Sequence, residues 1–176
     1  MTLVLECNKS FKKGFVMEKV CSFTGHRQII KAHKAKIGEL LEKAVSYMYE
    51  NGVRTFLTGG AVGFDTLAAK TVIRFRLHHP DVRLVILIPC KNQSEKWSDR
   101  DKAIYDYTLS AADEVEFIAD EYYDGCMKER NTALAERCDS MIAYVGRYMG
   151  GSAQTVRIAE KLGKKIYNLY PTLEKD

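Results

Sequence analysis

Residues 53–75 read VRTFLTGGAVGFDTLAAKTVIRF, and the fold turns on how this stretch divides. VRTFLT is rich in β-branched and apolar residues and has the length of a strand. From Phe64 onward the apolar positions are Phe64, Leu67, Ala68, Thr71, Val72 and Phe75. They recur at i, i+3, i+4, i+7, i+8 and i+11, the spacing of one face of an amphipathic helix. Between the two patterns lies TGGAVG, a glycine-rich passage from strand to helix. Strand, tight loop and helix in that order form the first half of a βαβ unit and predict a parallel sheet.

The same alternation extends in both directions. Upstream, VMEKVCSFTG (16–25) reads as a strand ending in glycine. A single helical stripe then runs through Ile30, His33, Ile37, Leu40, Leu41, Ala44 and Met48, stopped by Asn51-Gly52. Downstream, VRLVILIP (82–89) is an almost unbroken apolar run, as expected of a strand covered on both faces. A helix near residues 97–111 leads to a fourth strand, EVEFIA (114–119). Met127, Asn131, Leu134, Ala135 and Cys138 mark the next helix, followed by strand SMIAYVG (140–146), helix GGSAQTVRIAEKLG (150–163) and strand KKIYNLY (164–170). Six strands and five helices predict a single Rossmann-like, doubly wound α/β domain over residues 16–176. The mostly parallel sheet has helices on both faces and an expected order of 3-2-1-4-5-6. Residues 1–15 are expected to be an N-terminal arm or an edge strand.

Composition sets limits on function. A chain of 176 residues, 46% hydrophobic, buries roughly 70% of its unfolded surface, enough for a two-sided core. Net charge is +4 with acids and bases interspersed, which permits contact with phosphate. Without a dense basic arm, nucleic acid is not the expected partner. Cys7, Cys21, Cys90, Cys126 and Cys138 form no C-x-x-C pair, so reduced structural thiols are expected. No signal-peptide pattern or apolar run of roughly 20 residues is present. Membrane insertion is therefore not expected, and the expected location is cytoplasmic.

In such sheets ligands bind beyond the C-terminal strand ends, and this chain concentrates its unusual residues there. Strand 1 ends in Thr24-Gly25-His26-Arg27. Strand 2 ends in Thr58-Gly59-Gly60, with Gly63 and Asp65 opening the helix. Gln93 and Trp97 follow strand 3, Arg130 and Asn131 follow strand 4, and Gly150, Gly151 and Ser152 follow strand 5. Glycines before a helix either make a tight turn with close helix packing or let backbone N–H groups converge on an anion, aided by the helix dipole; two such loops on neighbouring strands favour the anion. Arg27 and Arg130 can pair with phosphate through the guanidinium fork. His26 can serve as a base or a phosphate donor. Asp65 can cap its helix or hold a ribose hydroxyl. Asn131 either supports the loops or touches ligand, and Trp97 either anchors the core or stacks on a base.

Two standard nucleotide sites do not fit. Thr58 stands where G-x-G-x-x-G needs its first glycine, and Asp81 precedes strand 3 instead of closing it. No Gly-Lys-Ser/Thr follows the glycines. No nucleophile–base constellation or metal-ligand cluster is legible, so no catalytic residue, metal or cofactor is assigned.

TGHR at 24–27, TGGAVGFDTLAA at 58–69, Pro89…Gln93…Trp97, KERNTALAERCDSMIAYVG at 128–146 and GGSAQTVRIAEKLGKKI at 150–166 resemble the YpsA-like family of the Rossmann-like SLOG superfamily. The resemblance runs from about Val16 to Tyr170 and implies a phosphorylated nucleoside or ADP-ribose-like ligand in the crevice. It implies a regulatory role, with a protein partner in bacterial cell division or stress, and leaves self-association open. Related SLOG proteins include the Lonely Guy phosphoribohydrolases and the single-strand-DNA-binding DprA proteins. Lonely Guy enzymes carry P-G-G-x-G-T-x-x-E and pair its glutamate with an arginine. Arg130 matches that arginine, but Arg157 stands at the glutamate position. The resemblance thus implies a binding module, with a nucleoside-monophosphate phosphoribohydrolase and a DprA-like DNA-binding module as alternatives.

Overall fold

The structure, a computed structural model, describes residues 18–175. The expected arm at 1–15 lies outside the described residues. The element order is β1 (Lys19–Gly25), a 3-10 turn (Lys31–His33), α1 (Ile37–Glu50), β2 (Val53–Thr58), α2 (Phe64–Arg76), β3 (Arg83–Cys90), α3 (Asp99–Ala111) and β4 (Glu114–Ala119). It continues with α4 (Cys126–Glu136), β5 (Ser140–Tyr144), α5 (Gly151–Lys161), β6 (Lys165–Asn168) and α6 (Tyr170–Glu174). All six strands pair in parallel in the order β4-β3-β2-β1-β5-β6. This is the Rossmann-like α/β architecture expected from the alternation.

The strand order corrects the expected one. β4 lies outside β3, and β5 takes the place beside β1. Burial explains this. Every residue of β3 after Arg83 is buried, whereas no residue of β4 is, and Glu114 and Phe117 are exposed. An apolar strand needs neighbours on both edges, and a strand that alternates charge with apolar groups tolerates the rim. The long stripe beginning at Ile30 also divides. A 3-10 turn carries buried His33, and the α-helix starts afresh at Ile37. At the far end, β6 stops at Asn168, and Pro171 sits in the first turn of the short α6, where a missing N–H costs nothing.

Two cores cover the sheet. On one face Phe23, Phe56, Leu84, Ile86 and Ile88 pack with Leu41 and Val45 of α1 and Phe64 and Val72 of α2. On the other, Leu57, Val85 and Leu87 meet Leu134 of α4, and Met141 meets Ala159 of α5. Full burial of each large side chain stabilises the fold by about 1.5–3 kcal/mol. The four cysteines among the described residues are buried and free. Burial pushes the Cys21 thiol up to about 12, so it is inert as a nucleophile. The helices after β1 and β5 lie on opposite faces, so the loops leaving these adjacent strands part and open a crevice between them.

Candidate ligand-binding site

A cleft of about 420 Å³ occupies that crevice. Gly25, His26, Arg27, Asp65, Arg130, Asn131, Gly150, Gly151 and Ser152 line it, together with Thr24, Ala61, Met127, Leu134, Arg147 and Met149. Thr58, Gly59, Gly60, Gly63, Gln93 and Trp97 are not in its lining.

The loop after β2 is filled by the protein itself. Asp65 is buried, and its Oδ2 accepts from the Ala61 N–H at 3.3 Å. The Gly59 N–H also favours the ionised form of this carboxyl. Thr58 Oγ1 donates to the Asp65 carbonyl at 3.5 Å. Buried Arg130 donates from Nη1 to the Gly59 carbonyl and from Nε to Asn131 Oδ1 at 2.9 Å, with Nη1 4.0 Å from Asp65 Oδ2. Gln93 Nε2 donates to the Gly60 carbonyl at 3.2 Å. A Cβ at Gly59 would overlap the Arg130 guanidinium, so glycine is required there by close approach. Burial raises the Asp65 carboxyl above its ordinary value, opposed chiefly by Arg130, and burial lowers Arg130, opposed by Asp65. The N–H groups of this loop thus converge on an internal carboxylate. Trp97 packs edge-on to Tyr105, 5.2 Å and 74° between rings, against the main core.

The loop after β5 differs. Gly150, at φ 102°, opens α5 in a conformation that glycine adopts without strain. No side chain caps α5, and no acid occupies its first turn. Asn131 Nδ2 reaches the Gly151 carbonyl at 3.4 Å, so its support role is directed at this loop. Arg27 and Arg147 are exposed on the cleft. Neither forms a salt bridge among the described residues. Uncapped N–H groups, the positive end of a helix and two free guanidiniums together favour an anion.

The TGHR segment joins the two sides. His26 N–H donates to the Tyr144 carbonyl and its own carbonyl accepts from Phe64 N–H, both at 3.1 Å. Gly63 lies against the Arg27 backbone. Gly146 N–H donates to His26 Nε2 at 2.9 Å, and His26 Nδ1 lies 3.3 Å from Ser152 Oγ. With Nε2 accepting, the neutral ring carries its proton on Nδ1 and donates it to Ser152. The Ser152 hydroxyl hydrogen is then free to point at a ligand, and His26 is not placed to deprotonate it. Burial, then Arg147, lowers the His26 pKa and keeps the ring neutral.

Arg147 was absent from the residues singled out by sequence, although its place directly after β5 is the same signal that marked Arg27 after β1. Arg157 and Glu160, further along α5, line a neighbouring cleft and not this one. Among the described residues, no cluster of three or more His, Cys, Asp or Glu could hold a metal, and no helix is long and apolar enough to cross a membrane.

The fold is similar to that of two DNA processing proteins. DprA of Helicobacter pylori, solved for its single-stranded DNA binding mode, aligns with TM-score 0.60 at 18% identity, over 84% of this chain and 63% of that one. DprA of Streptococcus pneumoniae aligns with TM-score 0.60 at 17% identity, over 85% of this chain and 49% of that one. The chain therefore spans less than two thirds of either protein. A UPF0398 protein of Bacillus cereus (strain G9842) is 26% identical over 156 residues, 83% of this chain and 85% of the relative. The YpsA profile, described as the YspA SLOG family, matches residues 19–170, which include every element from β1 to β6, and the chain belongs to that family.

Proposed function

We propose that the protein binds a nucleotide-derived, phosphorylated ligand in the switch-point cleft, with phosphate at the start of α5, and that its role is recognition instead of turnover. The observation that carries this reading is the uncapped, acid-free N-terminus of α5 facing Arg27 and Arg147. Gly151 and Ser152 donate backbone N–H groups to the phosphate, Ser152 adds its hydroxyl, and the arginines neutralise it. The volume suits a small ligand. A non-catalytic role is supported by Arg157 at the Lonely Guy glutamate position and by the donor role of His26 toward Ser152. A regulatory part in cell division or stress, through a protein partner, belongs to the same proposal; it predicts co-purification that changes with ligand.

Calorimetry against nucleoside monophosphates, nucleoside diphosphates and ADP-ribose tests the reading. Saturable binding weakened by Arg147→Ala supports it, and silence across the panel removes it. Release of free base from a nucleotide, lost on Arg130→Ala, would instead favour a phosphoribohydrolase.

A second reading, single-stranded DNA binding, is favoured by the likeness to DprA. Retention of an oligonucleotide that falls steeply as salt rises would support it. Absence of retention at low salt would exclude it.

A further inference from the structure

A second cleft, about 490 Å³, opens between α5 and α6. Val156, Tyr148, Tyr170 and Pro171 supply apolar walls, Arg147 and Arg157 add positive charge, and Glu160 and Glu174 add negative charge. Arg147 lines this cleft and the switch-point cleft alike, so the two are neighbours that share this residue. The two tyrosines are held very differently. Tyr170 packs edge-on to His33, 5.1 Å and 75° between rings, and tilts against Tyr144 at 5.1 Å. The backbone at Gly146 lies so close that a Cβ there would overlap the Tyr170 ring. Tyr148 is 94% exposed, yet its carbonyl is gripped by Arg157 Nη1. One ring is fixed, and the other stands free on an anchored backbone. Aromatic faces beside cationic groups make a platform for a flat heterocycle.

We propose that this cleft receives the base of the ligand whose phosphate sits at the start of α5, so that the ligand class is a nucleotide and not a sugar phosphate. The phosphate is held at Gly151 and Ser152, the ribose passes Arg147, and the base lies against Tyr148 and Tyr170. The proposal rests on the phosphate site argued above and adds what distinguishes one phosphorylated ligand from another.

Three probes separate the two ideas: ribose 5-phosphate, adenosine and adenosine 5′-monophosphate, each titrated into the wild type, Tyr148→Ala and Tyr148→Phe. The exposed position of Tyr148 lets both variants fold, which thermal unfolding verifies. The expected result is that the monophosphate binds the wild type at least about tenfold more tightly than ribose 5-phosphate. Tyr148→Ala erases that advantage, Tyr148→Phe keeps it, and ribose 5-phosphate is unaffected by either. Equal binding of the two phosphates to the wild type, or an advantage that survives Tyr148→Ala, overturns the base site and leaves the phosphate site standing. If neither phosphate binds, the phosphate site falls and the base site with it.

Discussion

The loops after β2 and β5 look alike in sequence, Gly59-Gly60 and Gly150-Gly151, each turning a strand into a helix, yet they do opposite things. The first has drawn a carboxylate of its own into the position an anion would take. Asp65 accepts from the loop N–H groups, and Arg130 holds the facing carbonyl. The second has no acid in the first helical turn and no side-chain cap. The charges beside it, Arg27 after β1 and its own Arg147, are positive and exposed to the cleft. A glycine-rich turn therefore specifies convergent N–H groups and nothing more. What those groups hold depends on whether the chain supplies an acid nearby.

That contrast breaks most readily at Arg130. Arg130→Met leaves the Gly59 carbonyl and the Asp65 carboxylate buried without their partner. A loss of about 3–5 kcal/mol in urea unfolding is expected, as for one half of a buried ion pair. A variant as stable as the wild type would mean that Arg130 serves ligand and not the first loop. Glycine substitutions sharpen the point at smaller cost. Gly150→Ala meets open space and bears only the strain of its positive φ, so about 1–3 kcal/mol is expected. Gly59→Ala collides with the guanidinium and should cost clearly more; equal costs by denaturant unfolding would erase the distinction.

The smallest effect concerns His26. Its folded pKa lies below the ordinary value of 6.5, because burial disfavours the cation. The unfolded chain then binds more protons in the window just below 6.5. Stability from this group is fully present above that value and is lost as pH falls through the window. A His26→Gln variant, measured by thermal unfolding between pH 7 and pH 5, should show a shallower decline than the wild type. Parallel declines would show that the Gly146–His26–Ser152 chain does not depend on a neutral ring.

Much of this is legible in the sequence. The strand–helix alternation follows from apolar runs and stripes, and the placing of polar loops at one sheet edge follows from parallel connectivity. The order of the strands departs from the expected one, although VRLVILIP and EVEFIA hold the signal: the first is too apolar for a rim, and the second carries Glu114 and Glu116. The fate of the first glycine loop was harder to see, since Arg130 and Gln93 reach it from distant parts of the chain. One clue was local, however. Asp65 stands in the first turn of α2, and no acid stands in the first turn of α5. Trp97 is ambiguous because a large aromatic at a helix start serves core and ligand equally well by sequence; its contact with Tyr105 places it against the core.

If the second loop holds an anion because it lacks the acid that the first one has, supplying that acid should expel the anion. Ser152→Asp gives the loop that acid. Calorimetric titration of adenosine 5′-monophosphate into the wild type and this variant, with thermal unfolding alongside, tests the claim most directly. The expected variant has a fold at least as stable, since an acid in the first turn favours α5 by about 0.3–1 kcal/mol. Its binding is weakened by about a hundredfold or more through like-charge repulsion. A variant that folds normally and binds the nucleotide as tightly as the wild type would contradict the claim.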